Sequence, residues 1–244
     1  MASRGGGALR AVFFDAGNTL LRMDYDVIAE RLCACACGVQ CRATDVQRAE
    51  WRARVRLDAA LGPPRMGRPS TESAGTSDLY SRLLLEELGV GDPTVLDAMA
   101  AWRRAYNPPV GLWNTAQPHA EKALRRVRAA GLSAAVISNS NGSVRMILDS
   151  LGLGAYLDFV LDSSEVGVEK PDPRIFRLAL ERAGLGPGQA IYVGDLYSVD
   201  VLGARGAGLG ALLLDPGACW GPRDCPTAPD VLTAVYRILE QAGP

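Results

Sequence analysis

Apolar and polar positions follow two different patterns along the chain. The apolar run 12–14, and the short apolar runs after residue 118, alternate with segments in which apolar residues recur at helical spacing. Alternating strands and helices are typical of a parallel sheet with helices on both faces. The sequence therefore predicts the α/β class with a Rossmann-like parallel sheet. The predicted strands are 12–14, 134–137, 159–161, 190–193 and 211–214, and the predicted helices of this part are 120–130, 143–151, 173–183, 198–207 and 229–241.

Between the first strand and residue 112 the spacing is helical and no strand-like alternation occurs. A loop rich in Gly, Pro and Ser interrupts this block, and we expect residues 62–76 to be mobile. The pattern predicts a sheet domain formed by residues 1–21 and 113–244. An all-helical cap domain, residues 22–112, is inserted after the first strand and lies over the carboxyl ends of the strands. Its predicted helices are 25–37, 44–61, 77–88 and 92–106.

The composition excludes several classes of partner. The 244 residues include 26 basic and 27 acidic side chains, and this balance offers no basic surface for nucleic acid or an anionic membrane. No apolar run is long enough to span a bilayer, and residues 1–10 look like a disordered lead-in without the apolar stretch of a secretory signal. We therefore expect a cytoplasmic protein with reduced thiols.

Four of the six cysteines lie close together, at Cys33, Cys35, Cys37 and Cys41. A metal site is one interpretation of this cluster. On a helix, however, Cys33 and Cys37 share a face while Cys35 points away. No second ligand pair and no nearby His completes a zinc set. We interpret these residues as small buried thiols.

Polar residues follow the first two predicted strands. The apolar run Ala11–Phe14 ends in Asp15 and a Gly-Asn turn. Open α/β sheets place their chemistry at this end of a strand, so Asp15 is a candidate nucleophile or metal ligand. Taken alone, the stretch favours a helix N-cap or a turn residue. Ser138, at the end of the second strand, offers a hydroxyl and a backbone N–H to an anion, or else caps the next helix.

Two later segments favour the chemical interpretation. Lys170 stands in a chain with only one other lysine, Lys122, which indicates that its position requires a compact ammonium rather than a guanidinium. The alternative is a solvated loop lysine. Asp195 ends the fourth strand and Asp200 follows it, and together with Asp15 these carboxylates suit Mg²⁺. Such a set suits in-line attack by Asp15 on a phosphoryl group whose charge is neutralised by the metal and Lys170.

The same segments resemble the four motifs of the haloacid dehalogenase-like hydrolase superfamily, in the same order, and the resemblance covers essentially the whole chain. The helical block lies where that superfamily has its helical cap. Segments 159–165 and 170–176 are most similar to the branch that contains the rhythmically expressed, haloacid dehalogenase-like domain-containing proteins. The four motifs correspond to Asp15 with Thr19-Leu20, Ser138-Asn139, Lys170-Pro171, and Gly194-Asp195 through Asp200.

The resemblance implies a Mg²⁺-dependent phosphatase that acts on a small phosphorylated substrate through an aspartyl-phosphate. It assigns Asp15 as the nucleophile, with Ser138 and Lys170 as phosphate binders and Asp195 as a metal ligand. The full set of candidates is Asp15 and Lys170 for catalysis, Ser138, Asn139, Lys170 and Asn18 for phosphate binding, and Asp15, Gly17, Asp195 and Asp200 for the metal.

Gly17 departs from the family's pattern. The phosphatases usually carry a second Asp at this position, whose carbonyl ligates Mg²⁺ and whose carboxylate protonates the leaving group and later activates water. Gly17 keeps the carbonyl and lacks the carboxylate. General acid–base catalysis contributes about 10²- to 10⁴-fold. We therefore expect a slow phosphatase, or one that prefers good leaving groups such as those of acyl and aryl phosphates.

Three functions stay open. The first is this phosphatase; the second is a binding or interaction protein whose catalytic machinery has decayed; the third is a 2-haloacid dehalogenase, which needs no metal. The resemblance also suggests a phosphonatase, but that chemistry needs a lysine in the cap, and residues 22–112 contain none. Because Ser138, Lys170, Asp195 and Asp200 are all present, we predict the phosphatase.

The sequence of the helical block does not identify the substrate. The arginines of this block either bind an anionic part of the substrate or form a solvated face, which is the commoner role. His119, the chain's one histidine, begins a helix, where the helix dipole disfavours an imidazolium, so we expect no catalytic role for it. The arginines concerned are Arg52, Arg54, Arg56, Arg65 and Arg68.

Overall fold

A parallel sheet of six strands runs through the protein in the order β5-β4-β1-β6-β7-β8. The computed structural model describes residues 8–36, 40–65, 69–106 and 110–242. In the sheet, β1 pairs with β4 on one side and with β6 on the other. This confirms the predicted fold class and places the first strand at the centre. The strands are β1 (Ala11–Phe14), β2 (Leu21–Arg22), β3 (Thr115–Ala116), β4 (Ser133–Ser138), β5 (Phe159–Asp162), β6 (Ala190–Gly194), β7 (Gly210–Leu214) and β8 (Thr227–Ala228).

Helices cover both faces of this sheet. Val12 and Phe14 of β1 belong to one apolar cluster with α5, α6 and α10, whereas Ala11 and Phe13 belong to a second cluster with α8 and α9. Successive side chains of a strand point to opposite faces, so a strand buried on both sides is apolar at every position. The helices are α1 (Tyr25–Cys35), α2 (Ala43–Leu61), α3 (Ala74–Glu87), α4 (Pro93–Tyr106), α5 (Ala120–Ala129), α6 (Val144–Ser150), α7 (Ser163–Val166), α8 (Pro173–Ala183), α9 (Leu202–Gly206) and α10 (Val231–Ala242).

Helices α1 to α4 lie between β2 and β3 and share a third apolar cluster, to which Ile28, Leu57, Leu84 and Met99 contribute. The two short strands pair antiparallel and form the entrance to and exit from this helical block. Sequence periodicity did not predict them, because two residues are too few to show alternation. The division into domains at residues 22 and 112 stays a prediction.

Two predicted elements differ from those observed. The helix expected at 198–207 is a π-helical turn, Tyr197–Val201, followed by α9. Such turns occur within helices, often at functional sites, and periodicity does not show them. Helix α3 begins at Ala74, before the predicted start at 77, because Ser73 caps it by accepting the N–H of Thr76 at 3.1 Å.

Several further predictions concern segments that are only partly described. Residues 1–7 of the lead-in, residues 66–68 of the expected mobile loop and Cys37 lie outside the described residues. In the described part of the chain Cys33, Cys35 and Cys41 are free thiols, but Cys33 is exposed and Cys35 and Cys41 are only partly buried, so the expectation of buried thiols was wrong for these three. No helix of the described residues is both long and apolar enough to cross a membrane.

Candidate active site

The carboxyl ends of β1, β4 and β6 meet at one edge of the sheet, because these three strands are neighbours and run parallel. They deliver Asp15, Ser138 and Asp195, each buried, to the floor of one cavity of about 220 Å³. The helical block forms the opposite wall. The structure thus brings together residues that are up to 180 positions apart in sequence, as Asp15 and Asp195 are.

Lys170 is the cation at the centre of this floor. Its Nζ donates to Oδ1 of Asp15 at 2.5 Å, to Oδ1 of Asp200 at 2.9 Å and to the Tyr192 hydroxyl at 2.9 Å. Asn139 holds the Lys170 backbone from both sides, since its Oδ1 accepts the Lys170 N–H at 2.7 Å and its Nδ2 donates to the Lys170 carbonyl at 2.9 Å. Three acceptors converge on one nitrogen, which suits an ammonium better than a planar guanidinium.

Asp15, Asp195 and Asp200 form an acidic cluster in which one carboxylate oxygen from each lies within 4.8 Å of the others. The π-helical turn folds Asp200 back over the end of β6. There its Oδ2 accepts the N–H of Asp195 at 3.1 Å and of Leu196 at 2.9 Å. A Cβ at Gly194 would overlap the Asp200 carboxyl group, so this approach requires glycine.

The electrostatics of the cluster show a deficit of positive charge. Burial, together with the charge of Asp200, raises the pKa of Asp15 to about 6, although Lys170 opposes the shift. Burial raises the pKa of Asp195 well above its ordinary value, with the neighbouring carboxylates adding to the effect and Arg54 opposing it. Burial alone would lower the pKa of Lys170, but its carboxylate partners raise it, so that it stays an ammonium.

A divalent cation fits this cluster on chemical grounds. Among the described residues, four buried carboxylates, those of the three aspartates and Glu50, face two buried cations, Lys170 and Arg54. When all are ionised, two negative charges remain uncompensated. Carboxylate oxygens are the donors that Mg²⁺ prefers. The buried Oδ1 of Asn18 has no hydrogen-bond partner in the part of the chain that the structure describes.

A buried network that includes residues of α2 supports the acidic cluster, and the sequence pattern did not predict it. Glu50 accepts from Arg54 Nε at 2.9 Å and from the amide of Asn18 at 3.0 Å. The same Asn18 amide donates to Asp195 at 3.0 Å, and Arg54 Nη1 lies 3.4 Å from that carboxylate. The available signal was the position of Glu50 and Arg54 on the apolar stripe of α2, where charged residues are rarely solvated.

Arg54→Met is expected to lower the free energy of unfolding by about 3–5 kcal/mol, because it leaves the buried carboxylates of Glu50 and Asp195 without their cation. Arg52→Met, on the same helix, removes an ion pair with Glu87 in which the arginine is 46% exposed, and should cost at most about 1 kcal/mol. Urea unfolding followed by circular dichroism compares the two variants. Equal costs would contradict the structural role given to Arg54.

Asn139 and Asn18, which the sequence predicts to bind phosphate, contact other side chains and backbone groups of the site. Both polar atoms of the Asn139 side chain contact the Lys170 backbone, and its Nδ2 also donates to Thr71 at 2.7 Å. Asn18 donates to Glu50, Tyr80 and Asp195. Phosphate binding by these two amides stays a prediction, and their observed contacts position other residues of the site.

Gly17 lines the cavity beside Asp15, and the indole of Trp113 covers it. A Cβ built on Gly17 would lie 3.6 Å from two carbons of that ring, which is ordinary contact. Trp113 in turn stacks on Tyr80, with ring centroids 6.4 Å apart. The space beside Gly17, where the family's phosphatases carry a carboxylate, therefore lies against an aromatic wall.

The helical block contributes charged groups that the sequence did not single out. Arg103 and Glu72 line the cavity. Of the predicted arginines, Arg52 and Arg56 form exposed ion pairs with acidic residues of α3, and Arg65 is exposed, as expected for a solvated face. Arg54 contradicts that expectation, because it is buried and paired with Glu50. Further predicted residues lie away from the cavity or outside the described part: His119 is exposed at the start of α5, and Arg68 lies outside the described residues.

With this geometry established, the comparison with known proteins is direct. Residues 9–208 match the sequence profile of the haloacid dehalogenase-like hydrolases. The chain belongs to this hydrolase family. The predicted membership is thereby confirmed, and the hydrolase is similar to proteins of the expected branch. It is 32% identical over 207 residues to the cattle protein called haloacid dehalogenase-like hydrolase domain-containing protein 3, a match that covers 84% of this chain and 82% of that protein.

Two further relatives of this hydrolase match over shorter stretches. In the mouse protein of the same name, 95 residues match at 46% identity, which is 39% of this chain and 38% of that protein. A phosphoserine phosphatase from Thermus thermophilus is 42% identical over 115 residues, which is 47% of this chain and 45% of that enzyme.

Among solved structures, the HAD-hydrolase YfnB from Bacillus subtilis, bound to magnesium, superposes with a TM-score of 0.61. It is 19% identical, and the match covers 96% of this chain and all of that one. At this level of identity the likeness concerns the fold.

Proposed function

We propose that this hydrolase is a Mg²⁺-dependent phosphatase that acts on a small phosphorylated metabolite through an aspartyl-phosphate on Asp15. The observation that carries the proposal is the placement of Lys170, whose ammonium lies between Asp15 and Asp200 on the floor of the cavity. A cation held 2.5 Å from the nucleophile is positioned to bind the phosphoryl oxygens that approach Asp15. The relatedness to a phosphoserine phosphatase supports the same chemistry.

In the proposed reaction, an Asp15 carboxylate oxygen attacks phosphorus and the bond from phosphorus to the leaving-group oxygen breaks. Water then attacks the aspartyl-phosphate and releases inorganic phosphate. Lys170 and the Ser138 hydroxyl hold the phosphoryl oxygens, and Asn139 fixes the Lys170 backbone during both steps. Such a covalent route divides one difficult displacement into two easier ones.

The Mg²⁺ would be held by the carboxylates of Asp15, Asp195 and Asp200 and by the carbonyl of Gly17. Asn18 and Arg54 contact Asp195 and would keep its carboxylate in place. The ion would supply positive charge that balances the carboxylates and the phosphoryl group. Without it, the neighbouring carboxylates resist simultaneous ionisation, as the raised pKa of Asp195 shows.

We further propose that residues 22–112 act as a cap that selects the substrate. This block has its own apolar cluster and supplies the wall of the cavity opposite Asp15. The wall combines apolar side chains such as Leu57 and Leu112 with hydroxyl groups of threonine, serine and tyrosine residues, with Glu72 and with Arg103. The Nε of Arg103 is buried without a hydrogen-bond partner among the described residues, whereas its Nη2 pairs with Asp78. A compact metabolite with an apolar part beside its phosphate suits such a cavity.

The proposal predicts turnover of acetyl phosphate and p-nitrophenyl phosphate in the presence of Mg²⁺, and loss of that turnover in EDTA. Release of inorganic phosphate is the measurement, and alkyl phosphates complete the panel. Good leaving groups should react fastest because position 17 carries no carboxylate.

The same panel separates the alternatives. Absence of turnover on every phosphate, with phosphate and Mg²⁺ binding intact by calorimetry, would identify a binding protein instead. Halide release from 2-chloropropionate that persists in EDTA would identify a dehalogenase.

A further inference from the structure

An alkyl phosphate cannot leave readily as an alkoxide, so its cleavage needs a proton donor near the leaving-group oxygen. Gly17 supplies none. If the protein is the phosphatase proposed above, another group in the cavity has to serve this role, or alkyl phosphates are not substrates.

Most of the acids and bases that line the cavity among the described residues are committed to other contacts. Asp15 is the nucleophile, and Asp195 and Asp200 complete the acidic cluster. Lys170 stays an ammonium, because its carboxylate partners raise its pKa. The Tyr80 hydroxyl donates to Glu50, and burial raises its pKa well above the ordinary value, so that it is a poor acid at neutral pH.

Glu72 is the remaining carboxylic acid that lines the cavity in the described part of the chain. Its neighbours on both sides make contacts that hold the segment in place. Ser70 Oγ donates to Glu169 at 2.9 Å, and Thr71 Oγ1 accepts from Asn139, the residue that holds Lys170, at 2.7 Å. On the other side, Ser73 caps α3. The segment that carries Glu72 is thus attached directly to the catalytic floor.

The surroundings of Glu72 favour a protonated carboxyl group near neutral pH. The residue as a whole is exposed to solvent, although its carboxyl group lies close to the body of the protein. Partial desolvation there, with the negative charges of Glu169 and Asp15, raises its pKa to about 7, and Lys170 opposes the shift. A group with such a pKa can both donate and accept a proton at neutral pH.

We propose that Glu72 is the general acid and base of this hydrolase, supplied by the helical block in place of a carboxylate at position 17. When Asp15 attacks phosphorus, the Glu72 carboxylic acid gives its proton to the leaving-group oxygen as the phosphorus–oxygen bond breaks, and an alcohol departs. The Glu72 carboxylate then takes a proton from the water that attacks the aspartyl-phosphate. Inorganic phosphate leaves, and both carboxyl groups return to their starting states.

Glu72→Gln tests this role, because the amide keeps the shape and cannot transfer the proton. We expect turnover of an alkyl phosphate to fall by about 10²- to 10⁴-fold. With p-nitrophenyl phosphate, whose leaving group needs no proton, the first turnover should keep its wild-type rate and the later ones should slow. The variant should therefore show a burst of nitrophenolate, and acid quenching should trap more phosphorylated enzyme than in the wild type.

Three comparisons complete the experiment. Glu30→Gln makes the same change on the exposed side of α1, outside the cavity, and should leave every rate unchanged. Formate should restore alkyl phosphate turnover to Glu72→Ala. In the wild type, alkyl phosphate turnover should fall as the pH rises through about 7 and Glu72 loses its proton, and Glu72→Gln should lack this dependence.

The proposal is overturned if Glu72→Gln slows the nitrophenolate burst and alkyl phosphate turnover by the same factor, or slows neither. These outcomes leave the phosphatase itself intact, provided that the wild type turns over p-nitrophenyl phosphate and Asp15→Asn does not. A wild type that is inactive on both esters overturns the proposed function and this proposal together.

Discussion

Asp15→Asn is expected to reduce turnover of acetyl phosphate by about 10⁴-fold or more, because the amide cannot form the aspartyl-phosphate. The change keeps the size of the side chain and an oxygen that can accept from Lys170, which lies 2.5 Å from Asp15 in the protein. The fold should therefore survive, since one buried negative charge is removed from a cluster that already has too many. Phosphate release with saturating Mg²⁺ is the measurement.

The matched control is Asp26→Asn, in which the same substitution is made on an exposed position of α1. It should leave turnover unchanged. If Asp15→Asn retains a rate close to that of the wild type, Asp15 is not the nucleophile, and the geometry around Lys170 serves another purpose.

Lys170→Met is expected to reduce turnover of acetyl phosphate by about 10²- to 10³-fold through loss of the cation beside the reacting phosphoryl group. It also leaves Asp15 and Asp200 buried without their partner, and breaking such a pair costs about 3–5 kcal/mol of unfolding free energy. Phosphate release with saturating Mg²⁺ measures the loss of turnover. Urea unfolding in EDTA measures the loss of unfolding free energy.

The pH dependence of this cost has a definite sign. Loss of Lys170 raises the pKa of the Asp15 carboxyl further above its value in the unfolded chain, because the ammonium opposes that shift in the wild type. The folded variant then binds more protons than the unfolded chain, so its stability falls as the pH rises. The difference in unfolding free energy between wild type and variant should be small at about pH 4, where carboxyl groups with raised pKa values are protonated. It should be large at about pH 8, where the Asp15 carboxyl group of the wild type is ionised and pairs with the charged Lys170.

Two further variants make the prediction specific to the ammonium. Lys122→Met changes the chain's other lysine, which is exposed on α5, and should affect neither measurement. Lys170→Arg keeps the charge but replaces a nitrogen that donates to three acceptors with a planar fork, so it should recover stability in part and activity very little. Full activity in Lys170→Arg would contradict the argument that this position requires an ammonium.

Local pattern predicted much of the fold because the sheet is buried on both faces. A run such as Ala11–Phe14 has to be apolar throughout, and a carboxylate directly after it marks the end of the strand. Once the strands are parallel, their carboxyl ends share an edge, so the meeting of Asp15, Ser138 and Asp195 followed from topology. Helix α8 was predicted at its observed bounds, since Asp172 caps it and Gly184 ends it.

Contacts between distant segments were not predictable in this way. The pairing of Asn18 with Glu50 and the covering of Gly17 by Trp113 depend on how α2 and the return from the helical block pack on the sheet. No local periodicity encodes that packing. Glu72 was not predicted for the same reason. It lies in a loop, and only the packing of that loop shows that it lines the cavity.

The most direct test of the central claim is the location of the phosphoryl group during turnover. Wild-type protein is mixed with acetyl phosphate and Mg²⁺, quenched in acid, digested and analysed by mass spectrometry. We expect at most one phosphoryl group per chain, carried by Asp15 and absent from Asp15→Asn. Steady turnover with the phosphoryl group on another residue, or with none trapped under any quench condition, would contradict it.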